Sequence, residues 1–284
     1  MRALILCLAL TLLNLLPARA AEILILQSNR SPGYSEALRG FHAACKGSHH
    51  AVVLSDYAEI DVDRMVKEER PRLVVALGDR ALAAAGRIRE VPVVALLALS
   101  QSRKTSADNI GGITMLPAPE QYLKLFLSME AKRFGVLYDP NKTGRYLKRI
   151  EHESKQLGLK LVAEPVTDPR DIQAKLEKIR GSVDVLWMLP DSTVFTTVNL
   201  EAFIRFSMTN KVPVVTFSSH YLKNGAAASL DIDYFDIGVQ AGEMAVSMLN
   251  SGGVRRVPTL DPRKALLHIN ESVIRNLGVP APGL

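Results

Sequence analysis

EILILQ, residues Glu22–Gln27, is a short apolar run of the kind that forms a buried strand. Tyr34–Cys45 follows it, with Ala37, Leu38, Phe41 and Ala44 at helical spacing. The same alternation continues. Ala51–Leu54 reads as a second strand, Asp61–Glu69 as a charged helix and Arg72–Leu77 (RLVVAL) as a third strand ending at Gly78. Ala81–Ala85 starts another helix, and Pro92–Leu97 is a fourth strand, opened by a proline where a ladder donor is least needed. The pattern then restarts, with a helix over Glu120–Met129, a strand over Arg133–Tyr138 (RFGVLY) and a helix over Lys148–Leu157 closed by Gly158. Strands over Leu159–Glu164, Val183–Met188 and Val212–Phe217 enclose helices over Asp171–Ile179 and Val194–Thr209. Such alternation predicts an α/β fold with parallel sheets of right-handed βαβ units.

Two series predict two Rossmann-like lobes, joined near Asn109–Pro119, a stretch rich in Gly and Pro. A tail follows, with a strand (Ala226–Asp231), a helix (Gly238–Leu249) and a short strand near Leu266–Ile269. It can cross back to the first lobe, which makes the hinge multi-segment. The expected boundaries are a leader over 1–20, a first lobe over 21–117 plus 232–254, and a second over 118–231 plus 255–284.

The leader, MRALILCLALTLLNLLPARA, has Arg2 as its positive region, an apolar run over Leu4–Leu16 and an A-x-A pattern at Ala18-Arg19-Ala20. These features predict an exported chain with a cleavable signal peptide. No cysteine follows the cleavage point, so no lipid anchor is expected and a freely diffusing periplasmic protein is. No later apolar run approaches the length of a membrane span. The composition, 48% hydrophobic and 23% charged, is that of a globular protein. The cations are scattered, with no basic stripe interleaved with aromatics, which argues against nucleic acid. Cys7 leaves with the leader, so Cys45 stands alone and reads as a small buried residue.

In open parallel sheets, ligands sit beyond the carboxyl ends of the strands. In the first lobe those loops carry Ser28, Asn29 and Arg30, then Gly78, Asp79 and Arg80, then Ser100 and Gln101. In the second they span Asp139–Thr143, with Asn141, then carry Asp191, Ser192 and Thr193, then Ser218, Ser219 and His220. Hydroxyls, amides and a few charges suit a desolvated polar solute. Ser28 and Asn29 read either as carboxylate binders or as turn residues before Pro32-Gly33. Arg30 and Arg80 suit an acidic ligand or a solvated surface. Tyr138 and Phe195 read as stacking platforms or as core.

Six stretches, in order, resemble one family. They are NIGGIT (Asn109–Thr114), RFGVLYDPN (Arg133–Asn141), LPDSTV (Leu189–Val194), KVPVV (Lys211–Val215), DYFDIGVQAGEMA (Asp233–Ala245) and HINESVIRNLGV (His268–Val279). Together they resemble ABC-transporter substrate-binding proteins related to tryptophan- and tyrosine-binding proteins. The resemblance implies a type I periplasmic-binding-protein fold that holds its ligand between two closing lobes. It implies that Asp191 faces the cleft, where a carboxylate pairs with a ligand amine. The alternative is an N-cap for the helix from Val194. Thr114 takes the place of the family's serine after the join, with a hinge residue as its alternative. The chain departs from the family pattern at Ala98–Gln101, at Ser218–His220, at Asp79, which replaces a small hydroxyl residue, and at Asp231, which replaces Gly. The ligand is therefore not carried over.

Other chemistry finds little footing. HESKQ (His152–Gln156) lacks the second histidine of a zinc-protease motif, and His49-His50 reads as a polar turn. Neither a nucleophile elbow nor a phosphate loop occurs, so no metal and no cofactor is expected. The leading expectation is a monomeric solute-binding protein that captures a small polar solute, of the amino-acid class, for an inner-membrane ABC permease. A sensor module reporting to a membrane receptor or kinase is the alternative. An exported α/β enzyme built on Asp79, Asp191 and Asp231 is the minor one.

Overall fold

The computed structural model describes residues 22–102, 107–251 and 256–282, so the leader lies outside the described residues. The first half of the chain runs β1 (Ile23–Gln27), α1 (Pro32–Ala44), β2 (His49–Val53), α2 (Val62–Glu69), β3 (Leu73–Leu77), α3 (Asp79–Ala85), β4 (Val93–Leu96) and β5 (Ile110–Ile113). It continues through α4 (Pro119–Ser128), β6 (Arg133–Tyr138), α5 (Gly144–Gln156), β7 (Lys160–Pro165), α6 (Ile172–Lys178), β8 (Val185–Trp187), α7 (Thr197–Asn210), β9 (Val214–Thr216) and β10 (Ala228–Ile232). It closes with α8 (Tyr234–Asn250), β11 (Thr259–Leu260), β12 (Ala265–Ile269) and α9 (Glu271–Leu277).

The strands form two six-stranded sheets, ordered β11-β5-β4-β3-β1-β2 and β12-β10-β9-β8-β6-β7. Every pairing is parallel except β10 with β12. Central strands covered on both faces are apolar throughout. Ile23 and Ile25 enter one core and Leu24 and Leu26 the other.

The lobes are packed by different means. In the first, α8 returns from the second sheet and lies on α1. A Cβ on Gly238 would meet the Ala37 carbonyl oxygen at 1.8 Å, and one on Gly40 would meet that of Phe235 at 1.9 Å. Only hydrogen at these positions lets the helix backbones come so near. In the second lobe the packing is aromatic. Trp187 is fully buried in β8, with ring centroids of Tyr122, Phe126 and Tyr146 at 4.7, 5.7 and 5.9 Å.

Several boundaries move. The join hides β5, whose Gly112 has φ +135° and would place a Cβ 1.9 Å from the Ala95 carbonyl oxygen. His49-His50 is no turn but opens the edge strand β2. The helix expected from Val194 begins at Thr197, because Thr196 supplies the cap to the Asn199 N–H. The strand at 259–260 pairs with β5 in the first sheet and not with the second lobe, where 255–284 was assigned. Cys45 is buried, 2% exposed, in the first core.

Candidate functional site

The carboxyl edges of both parallel sheets carry the nominated loops. In the first lobe, Ser28 follows β1. Its hydroxyl donates to the Leu77 carbonyl at 2.9 Å and accepts from the Ala81 N–H at 3.0 Å. It thus caps α3 in place of Gly78, which has no side chain to do so. Gly78 has φ +86°, and a Cβ there would fall 2.0 Å from the Tyr34 hydroxyl. Burial raises the Tyr34 pKa, and the contact with Ser28 opposes the rise. Asp79 accepts from the Ser100 N–H at 2.7 Å, from its hydroxyl, and from the Leu99 N–H at 3.3 Å. Asn29 and Arg80 are exposed and carry no hydrogen bond or ion pair among the described residues.

In the second lobe, Asp191 is 1% exposed. One carboxylate oxygen accepts from the Asp139 N–H and the Thr143 hydroxyl, each at 2.8 Å. The other accepts from the Thr193 N–H at 3.0 Å and the Val194 N–H at 3.4 Å. Thr193 returns its hydroxyl to Asp139 at 2.7 Å. Asp191 therefore does not face the cleft with a free carboxylate, as the resemblance implied. It ties the loops after β6 and β8 into one body, and it caps the 191–195 turn rather than α7. Asp231 accepts from the Ser219 N–H and hydroxyl, both at 2.8 Å, and from the Ser229 hydroxyl. Ser218 accepts from the His220 N–H at 3.4 Å. Each nominated aspartate thus already holds a loop through a Ser or Thr hydroxyl and backbone N–H groups.

Beside these loops lies an aromatic trio. Phe195, after β8, packs on Phe217 and Tyr221 at 5.5 and 4.7 Å, and Phe217 meets Tyr221 at 5.4 Å. Phe195 was nominated. Phe217 closes the strand expected over Val212–Phe217, and Tyr221 lies three residues beyond Ser218, outside the residues the sequence singles out. Tyr138 and Asn141, at the end of β6, stand on the outer side of this edge beside Lys142, whose ammonium donates to the Ser192 hydroxyl at 2.7 Å.

The two edges meet at a narrow seam. A cavity of about 40 Å³ is lined by Leu99, Met115 and Leu116 on one side and by Lys142, Thr143, Pro190 and Ser192 on the other. Three crossings of the chain flank it, at 114–118, 232–233 and 261–264. Asp261 joins them. It accepts from the Thr114 hydroxyl at 3.1 Å and from the Arg149 guanidinium at 2.6 and 3.2 Å. Its backbone oxygen accepts from Gln240 at 3.0 Å. Tyr146 donates to the Pro117 carbonyl at 2.7 Å. Thr114 is thus a hinge residue with its hydroxyl engaged. Gln101, 4% exposed, was named with its loop but given no role. In the amide orientation that satisfies its neighbours, it bridges Ala95 of β4 to Gly112 and Ile113 of β5 where the strands part.

No group of three or more metal-ligating side chains occurs among the described residues, and no helix among them is long and apolar enough to cross a membrane. The chain is 20% identical over 225 residues to the tyrosine-binding protein of Clostridioides difficile (strain R20291), which covers 75% of this chain. It spans 65% of the length of that curated relative. Among solved structures, it resembles the ligand-free, open form of a substrate binding protein with adhesive properties from Clostridium difficile. That match has a TM-score of 0.68 at 21% identity, over 91% of this chain and 95% of the other. It also resembles an ABC domain in complex with L-Trp from Streptococcus pneumonia, with a TM-score of 0.61 at 18% identity over 92% and 96% of the two chains. The fold is that of type I periplasmic binding proteins. The family described as ABC transporter substrate binding protein matches residues 54–283, and with two parallel sheets meeting edge to edge beside a three-strand hinge, the chain belongs to that family.

Proposed function

We propose that the protein captures a small solute of the amino-acid class between its lobes and delivers it to an ABC permease of the inner membrane. In this reading the leader exports the chain and it works in the periplasm as a monomer. The observation that carries the proposal is the seam. Two sheet edges approach within one narrow gap, and the crossings beside it are tied to one another through Asp261 with Thr114 and through Asp233 with Lys264. Such an arrangement has two packings, open and closed, and a ligand that touches both edges favours the closed one.

The chemistry of the edges supports the ligand class. The aspartates hold loops, so the polar contacts left for a solute come from Asn29, Arg80 and the exposed Ser192. Phe195, Phe217 and Tyr221, packed edge to face, offer a half-buried aromatic cluster for a side chain. The relatives named for tyrosine and for a complex with L-Trp agree with a ligand that has one polar and one aromatic end. The family is one of substrate-binding proteins, and Asp79, Asp191 and Asp231 each already hold a loop by hydrogen bonds. Native mass spectrometry of protein purified without denaturation is expected to show a bound amino acid. Thermal shift and small-angle scattering with an amino-acid panel are expected to show stabilisation and compaction by the same compound. A protein that carries nothing and responds to nothing in the panel would overturn the proposal.

A further inference from the structure

On the second lobe, reaching outward from the seam with which it shares Lys142, an open trough of about 790 Å³ runs between α5 and the edge strand β7. Its floor is apolar, from Leu161 and Ala163 of β7 together with Leu147, and Tyr138 closes one end. Its rim is cationic. Arg145 and Lys148 lie three apart in the first turns of α5, a spacing that makes them neighbours, and Lys142 stands in the loop just before the helix. Arg145 and Lys148 are exposed and have no hydrogen bond or ion pair among the described residues. The one carboxylate on the rim, Glu151, is drawn off by Lys155 at 2.9 Å. The acidic residue of β7, Glu164, lies on the opposite face of the sheet and is held there by Lys178 at 2.7 Å and Lys175 at 3.4 Å. β7 pairs only with β6 among the described residues, so its outer backbone groups are open to a further strand.

We propose that this trough is a docking site for an extended acidic segment of a partner protein, one whose carboxylates meet Arg145 and Lys148 while its apolar side chains cover Leu161 and Ala163. Charge complementarity selects the acid, and the apolar floor together with the unpaired strand edge selects a polypeptide over a compact anion. Under the transport reading, on which this rests for its setting, the partner is the membrane permease. Lys142 gives the site its purpose. It lines the trough and also the seam between the lobes, where its ammonium reaches Ser192. A segment seated in the trough therefore touches a residue whose surroundings change when the lobes close.

The test is fluorescence anisotropy of the whole purified protein with a dye-labelled decapeptide that alternates glutamate and leucine. Saturable binding is expected. It should weaken by roughly tenfold or more in a variant carrying both Arg145→Glu and Lys148→Glu, and fall as salt rises. Ala163→Trp fills the floor without altering charge and should weaken binding too. The lysine counterpart of the peptide should not bind. Failure of the glutamate peptide to bind, or binding untouched by the charge reversals, overturns the proposal. Flotation of the protein with phosphatidylglycerol vesicles, lost on the same charge reversals, would give the trough to anionic lipid and overturn it as well. Amino-acid binding in the cleft is measured on the same variants and should be unchanged, so failure here is separate from failure of solute capture.

Discussion

The two lobes share a topology and differ in what holds them. The first is packed by backbone proximity, where α1 and α8 touch through Gly40 and Gly238 with no side chain between. The second is packed by mass, a buried indole among phenyl and phenol rings, and by a carboxylate sealed among its own loops. The same strand–helix rhythm thus permits two solutions, one that tolerates no added atom and one that tolerates no removed group.

The largest expected effect removes mass from the second lobe. Trp187→Ala should cost about 4 kcal/mol of stability by urea denaturation, because the cavity left among rigid rings closes poorly. Next is Asp191→Ala, expected to cost about 3 kcal/mol, since it strands the Thr143 hydroxyl and the N–H groups of Asp139 and Thr193 in a buried place. The matching change in the first lobe, Asp79→Ala, should cost less than about 1 kcal/mol, because water replaces its bonds at an exposed loop. Equal losses at the two aspartates would erase the contrast between a sealed and an open carboxylate. Adding one methyl group to the first lobe, by Gly238→Ala, should cost about 2 kcal/mol as α1 and α8 are forced apart, whereas Gly158→Ala, with no neighbour within 4 Å, should show only the strain of its positive φ.

The smallest effect is in acid response. In the first lobe, burial, then His49 and Lys46, lower the pKa of His42. The folded lobe prefers the neutral ring, so this stabilisation is present above the ordinary histidine pKa of about 6.5 and is lost as pH falls through the lower folded value. In the second lobe, burial pushes Asp184 up. The Arg133 guanidinium and the N–H groups of Lys132 and Arg133 outweigh it and leave the pKa lowered. That contribution is present above the ordinary aspartate pKa of about 3.9 and is lost below it. Stability measured against pH should therefore lose a shallow limb below neutrality in His42→Ala and a limb at stronger acid in Asp184→Asn. Exchanged limbs would refute both assignments.

Much of the fold is legible in the chain because buried parallel strands are apolar and helices between them are periodic. Ile23–Gln27, Leu73–Leu77 and Arg133–Tyr138 lie where the apolar runs put them. β5 is not legible, because IGGI has too little side chain to read as a strand and its glycines answer to Ala95 across the sheet. β2 is legible over Ala51–Val53, but its start hides behind two histidines, since an edge strand needs no apolar outer face. β11 is two exposed residues whose only reason to be extended is Gly112–Ile113, far away in sequence. At the site, the loops follow from strand order, but who bonds to whom does not. Asp191 meets Thr143 across 48 residues and Thr193 meets Asp139 across 54. A carboxylate at a family motif position looks the same in the chain whether it waits for a ligand or holds two loops. The aromatic trio was half visible, because Phe195 could be placed after β8 while Tyr221 needed the short turn that folds it back onto Phe195.

Neither lobe is a continuous piece of chain. The first lacks the helix that covers α1 until Tyr234–Asn250 exists, and the second lacks β12 and α9 until Ala265–Leu277 does. A chain made from its amino terminus therefore carries two unfinished apolar faces for most of its synthesis, and both close within its last fifty or so residues. Completion of both lobes therefore waits on the last strand and helices to be made.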